Sequence, residues 1–230
     1  KARSHDKPLW NRAFYGGSLL ATAAQGYMLG QLVMGFASGW GAVLFGALIA
    51  VCLVAGYALL GAGWLILKTD GALQLRAVRW ARGSLWLTAV GVAAVSIATP
   101  WLSERIFDKW FALPNLVLLA PIPIATLVLF LVIERSLRRL PVRLGQGNEY
   151  GAWVPFAGAI GIFALAFYGL AYSLFPYLVV ERLTIWQAAA APESLMIVFV
   201  GACVVLPMIV GYTVFAYRVF HGKAQALDYG

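Results

Sequence analysis

The residues that could do chemistry in this chain are few, and their positions restrict what they can do. Its only histidines, His5 and His221, lie in polar segments. Axial haem ligation, copper binding or a proton relay inside a membrane would need an imidazole or carboxylate within an apolar stretch. No Asp or Glu stands in the middle of one, and Glu134 and Lys68 sit at stretch ends, where long side chains reach the headgroups. Cys52 and Cys203 fall inside apolar stretches without metal-site spacing, and read as small buried hydrophobes. Met28, Met34, Met196 and Met208 have no histidine partner there for a haem. There is no Walker motif, no GxGxxG after a strand, and no serine, histidine and carboxylate set. What remains is uncharged: Gln25, Tyr27, Gln31, Tyr57, Thr126, Tyr168 and Tyr212. Most read as interhelical hydrogen bonds worth about 1 kcal/mol or less. Gln25 and Tyr27, near the middle of the first stretch, are the least explained by this. They are the candidates to face a partner subunit or a buried polar headgroup. The residues predict no catalytic, cofactor-binding or metal-binding position.

The elements that hold these residues are six apolar stretches, roughly 13–36, 42–67, 84–102, 112–133, 152–175 and 195–220. Of 230 residues 62% are hydrophobic and 11% charged, too few polar groups to cover a soluble domain of this size. A membrane-crossing helix needs about 20 apolar residues, and each stretch supplies them. The runs are continuous rather than alternating, which excludes a β-barrel. The reading is an all-α, polytopic transmembrane helical bundle of six spans, one transmembrane domain over residues 1–230. The chain starts at Lys1 in a basic segment without an initiator Met, as expected of a piece whose earlier spans are missing.

The net charge of +8 does not mark a nucleic-acid site, because the basic residues form no compact domain. They alternate instead. Lys1, Arg3, Lys7 and Arg12 precede the first span; Lys68, Arg76, Arg79 and Arg82 lie between the second and third. Arg135, Arg138, Arg139 and Arg143 lie between the fourth and fifth, and Arg218 and Lys223 close the last. The other connections hold only Arg105, Lys109 and Arg182. The positive-inside rule places both ends of the chain in the cytoplasm.

Local signals support the spans. Trp10, Trp64, Trp80, Trp86 and Trp153 lie near the proposed cytoplasmic ends, and Trp40, Trp101, Trp110 and Trp186 near the outer ends, as an aromatic belt requires. Gly26 with Gly30, and Gly35 with Gly39, are small-residue pairs that let helices approach closely. Pro121 and Pro123 should kink the fourth span and Pro207 the sixth, because each removes a backbone donor. Thr184 and Gln187 form a capping box opening a short outer helix over residues 185–191.

Four blocks resemble one family. FYGGSLLATAAQGYMLG (residues 14–30), containing Gly26, is similar to the GGSLL…QG…LG helix of subunit II of the cytochrome bd-type quinol oxidases. GYALLGAGWLILKTDG (residues 56–71), with Gly61, Trp64, Lys68 and Thr69, resembles that family's GYALLG…WL…KT-[DE]-G segment and is the most specific match. FPYLV…LTIWQAAAAPESL (residues 175–195), with Trp186, resembles its outer loop, and LPMIVGYTVFAYRVFHGK (residues 206–223) its last helix. The resemblance implies the C-terminal six of about eight spans. It also implies a bacterial inner-membrane subunit that packs against a haem-bearing subunit I, in a complex that oxidises quinol, reduces O2 to water and contributes to the proton-motive force. Haem b and haem d are then expected in the partner and none in this chain. Some family members hold a quinone or lipid in subunit II, so a structural quinone or lipid is an expectation without assigned residues. Acidic residues of the family's proton path lie in the absent spans, and the DGFD-type motif near the family's start has no counterpart here. Val180-Glu181-Arg182 replaces a proline-bearing stretch, which concerns loop shape. The alternatives are a small-solute permease, which usually needs an intramembrane charge or an unwound polar site, and a membrane assembly factor.

Overall fold

The computed structural model describes residues 7–101, 103–220 and 222–223. His5 and His221, and with them Lys1, Arg3 and Leu102, lie outside the described residues. The chain runs α1 (Lys7–Val33), α2 (Trp40–Lys68), α3 (Gly71–Trp101), α4 (Glu104–Phe111), α5 (Asn115–Leu119), α6 (Pro121–Gly145) and α7 (Val154–Leu174). A small hairpin of β1 (Tyr177–Val179) and β2 (Leu183–Thr184) follows, then α8 (Ile185–Ala188) and α9 (Pro192–Val219). The hairpin is antiparallel, with Tyr177 opposite Thr184.

The all-α bundle is as expected, but the span count is corrected. Among the described residues five helices are long and apolar enough to cross a membrane: α2, α3, α5 with α6, α7 and α9. α1 has the length, at 27 residues, but Gln25, Gln31 and its glycines make it less apolar. It lies antiparallel along α2, with Gly26 against Ala50 and Gly30 against Gly46.

Two boundaries also move, for one reason. α3 begins at Gly71 rather than near 84, and α6 runs to Gly145 rather than ending near 133. The arginine-rich connections are therefore helical extensions of the spans. Arg and Lys are good helix formers, so nothing stops the helix at the hydrocarbon boundary. At 31 residues α3 is about 46 Å long, beyond the roughly 30 Å of hydrocarbon.

α2 is central, packing on α1, α3 and α7. Its buried stripe, Ala42, Gly46, Ile49, Cys52, Ala55, Leu59, Ala62 and Ile66, recurs every three or four residues. Small residues set its closest approaches. A Cβ on Gly91 of α3 would collide with the Cys52 Cβ, and one on Gly63 would lie 2.9 Å from the Phe156 backbone in α7. The main core joins α2, α3, α6 and α7 through Leu59, Ile66, Val78, Leu85, Ile133, Leu137, Leu140 and Ile162.

Gly35 and Gly39 do not form a helix-packing pair. They lie in the α1–α2 turn with φ of 60° and 129°, a backbone that L side chains rarely adopt. Pro121 and Pro123 occupy the first turn of α6, after the one-turn α5. A helix start leaves its first N–H groups unpaired anyway, so prolines cost little there. Pro207 lies inside α9. The capping box is present, with Gln187 N donating to Thr184 Oγ1 and Thr184 N to Gln187 Oε1. The helix it opens is shorter than expected and ends at Ala188.

Candidate functional site

Three polar places stand out on this apolar scaffold. The first is a corner at the basic end, where two of the sequence blocks with a family likeness meet. Trp64 packs between Phe156 of α7 (ring centroids 5.2 Å) and Tyr217 of α9 (5.6 Å), with Lys68 over its ring at 5.1 Å. The Lys68 Nζ donates to the Gly222 carbonyl at 2.9 Å. The Thr69 hydroxyl donates back to the Leu65 carbonyl at 2.7 Å and closes α2. Asp70 and Glu149 both accept from the Lys223 ammonium. Partial desolvation lowers the Lys223 pKa, but the hydrogen bonds and charges of these two carboxylates outweigh it and hold the ammonium above its usual value. The K-T-D-G corner thus receives the segment that follows α9.

The second place is Glu134, and here the sequence reading is corrected. Rather than extending freely from the end of its stretch, the Glu134 side chain is buried between α3 and α6 at 9% exposure. Its Oε1 accepts from the Arg82 Nε of α3 at 3.2 Å and from the Arg138 Nε one turn along α6 at 2.7 Å. Its Oε2 is buried without a partner among the described residues. Arg82 and Arg138 remain half exposed, at 48% and 62% of their side chains. Glu134 is the one charged side chain in the buried set of the described residues. The sequence carried only part of the signal: arginine four residues after the carboxylate marks an ion pair along one helix, but not the burial against α3.

The third lies at the opposite end. On α4, Arg105 lies over the Tyr177 ring at 4.6 Å, and Lys109 donates to the Tyr172 and Phe175 carbonyls at 2.6 and 3.0 Å. Both cations meet the C-terminus of α7, where the helix dipole is negative. Desolvation, then the neighbouring Arg105 charge, push the Lys109 pKa down. Trp110 Nε1 donates to the Ser173 hydroxyl at 2.9 Å, and Ser103 to Glu181 at 2.6 Å. Glu181 holds φ at 57° in the hairpin turn, beside a cavity of about 310 Å³ bounded by Val33, Met34, Gly35, Val180 and Arg182. Sequence reasoning missed α4, although Arg105 with Lys109 and Phe107 with Phe111, each four apart, mark an amphipathic turn.

Gln25 and Tyr27 do not form one site. The Gln25 Oε1 accepts from the Tyr57 hydroxyl at 3.3 Å on an exposed surface. The Tyr27 ring lies over Gly46, where an added Cβ would be 2.9 Å away, and the residue is 37% exposed. Gly26 is buried at the α1–α2 contact. Gly61 is different: a Cβ there would meet nothing within 4 Å. Trp186 is exposed, with an edge contact to Phe175 at 6.0 Å. Among the described residues no group of three or more His, Cys, Asp or Glu is placed to hold a metal.

The family model for cytochrome bd terminal oxidase subunit II matches residues 1–220. Comparison with curated protein sequences gives no match.

Proposed function

This chain belongs to the cytochrome bd terminal oxidase subunit II family, and from that premise we propose that it is the non-haem structural subunit of a terminal oxidase. It packs in the membrane against a larger haem-bearing subunit I, in a complex that oxidises quinol, reduces O2 to water and contributes to the proton-motive force. One observation carries the structural part. α9 is a 28-residue apolar helix with no buried residue, and it touches the bundle through Tyr217 on Trp64. An apolar helix gains little from leaving lipid for lipid-like contacts, so its use is packing against other helices.

The residues of this chain do not fit a haem. Met28, Met196 and Met208 lie exposed on the helix surfaces, and neither histidine falls in an apolar stretch. Haem b and haem d are therefore assigned to subunit I. Gln25 and Tyr27 remain the polar candidates for facing the partner subunit or a buried polar headgroup.

Affinity purification of the tagged full-length protein from native membranes tests this reading. A larger apolar subunit should co-purify, with b- and d-type bands in the reduced-minus-oxidised spectrum and quinol oxidase activity. A colourless protein purifying alone would overturn it. The protein is a multi-pass membrane protein; the charge alternation favours a cytoplasmic basic end, and the family membership supports a bacterial inner membrane. A reporter fused after Lys223 is expected to read as cytoplasmic; a periplasmic signal would reject the orientation.

A further inference from the structure

We infer that Arg82 and Arg138, clamped by Glu134, form a binding site for the phosphate of an anionic phospholipid in the leaflet at the basic end. A basic excess for topology needs no fixed geometry, whereas here the geometry is fixed. Both arginines use their Nε to bind one oxygen of a buried carboxylate. The terminal nitrogens of both forks have no partner among the described residues, and both side chains are half exposed. Guanidinium forks match phosphate oxygens in pairs. Two helices deliver the two forks to one spot, since α3 packs on α6 there.

Depth agrees with charge. The apolar runs end at residues 84 and 133, so Arg82 and Arg138 stand just outside the hydrocarbon, at phosphate level. Arg79 and Arg135, one turn nearer each helix N-terminus, are exposed, so cations outnumber the single carboxylate. Trp86, one turn from Arg82, is 60% exposed, as a headgroup-level anchor would be. Basic pockets between transmembrane helices on the cytoplasmic side bind anionic headgroups. The inference rests on the orientation proposed above for its leaflet, but on nothing about oxidase chemistry.

The test uses the purified full-length protein, with any subunit that accompanies it, in nanodiscs of phosphatidylcholine with or without phosphatidylglycerol. Phosphatidylglycerol should be retained over phosphatidylcholine on native mass spectrometry. R82Q/R138Q should weaken that retention about 25-fold, at about fivefold per arginine. R76Q/R139Q makes the same change of charge away from the clamp and should weaken it far less. Equal effects of the two pairs, or equal retention of the two lipids, would overturn the site. Displacement by millimolar inorganic phosphate would overturn the lipid as its occupant. Should R82Q/R138Q fail to fold, a photoactivatable phosphatidylglycerol on the unmutated protein still decides. Labelling within a turn of Arg82 and Arg138 supports the site, and labelling confined elsewhere rejects it.

Discussion

A leucine at Gly26 should force α1 off α2. An added Cβ there would lie 2.6 Å from the Ala50 Cα and 2.9 Å from the Ile49 carbonyl oxygen. Both obstacles are backbone, so no side chain can rotate out of the way. Gly30 repeats the situation one turn on, 2.7 Å from the Gly46 Cα. Overpacking a dense contact costs about 1–3 kcal/mol, and leucine here adds four carbons against main chain, so G26L should cost about 3 kcal/mol. That corresponds to a fall of about 10 °C in melting temperature for a chain of this size. Even G26A should destabilise, because the first carbon already collides. Gly61 is the control, since nothing lies within 4 Å of a Cβ there. G61A should be neutral, or stabilising by up to about 1 kcal/mol through helix propensity. Thermal melting of the three variants in one detergent checks the ranking, and G26A melting with the unmutated protein would reject this packing. A G61L protein that folds but no longer holds its partner would place the partner over Gly61.

The same contact shows what the sequence could reveal. Gly26 and Gly30 were legible as a close-packing pair because small residues four apart share a helix face. Gly35 and Gly39 have the same spacing, but no pattern within the run told helix from turn. The spans were legible from their apolar runs because lipid imposes length and composition directly. Their true ends were not, because Arg76 to Arg82 and Arg135 to Arg143 are good helix formers whose charge hides the continuing helix. That same charge hid Glu134. At the end of a run a carboxylate reads as solvated, and only the packing of α3 on α6 shows that it is buried between two guanidiniums. The corner of Lys68, Asp70 and Lys223 joins residues 153 positions apart in the Lys223–Asp70 pair. A sequence read alone gives no register over such a separation. Gly61 shows the converse, a family-motif glycine where an added Cβ would meet nothing within 4 Å among the described residues.

Glu134 to alanine should be the most damaging single change at the basic end. The carboxylate accepts two charge-assisted hydrogen bonds, each worth about 1.5–3 kcal/mol where desolvated. The arginines are half exposed and can turn to the headgroups, so the loss should fall to about 2 kcal/mol. E134Q tests which part of the interaction matters. Its amide oxygen can still accept from both Nε atoms, but its NH2 would occupy the place of the unpartnered Oε2. One buried group lacks a partner before and after this change, so the main loss is charge, and E134Q should fall between the unmutated protein and E134A. R82A alone should cost about 0.5–1 kcal/mol, because Arg138 still pairs with the carboxylate. Replacing all three by leucine should recover most of the stability lost in E134A, since a buried ion pair rarely outperforms a packed apolar set. That triple variant should nevertheless lose the preference for anionic lipid, because the forks are gone. Melting curves for the four variants, measured with and without phosphatidylglycerol, separate the two roles. Recovery of stability together with retained lipid preference would show that the lipid binds elsewhere. No stability loss in E134A would show that the carboxylate does not hold α3 to α6.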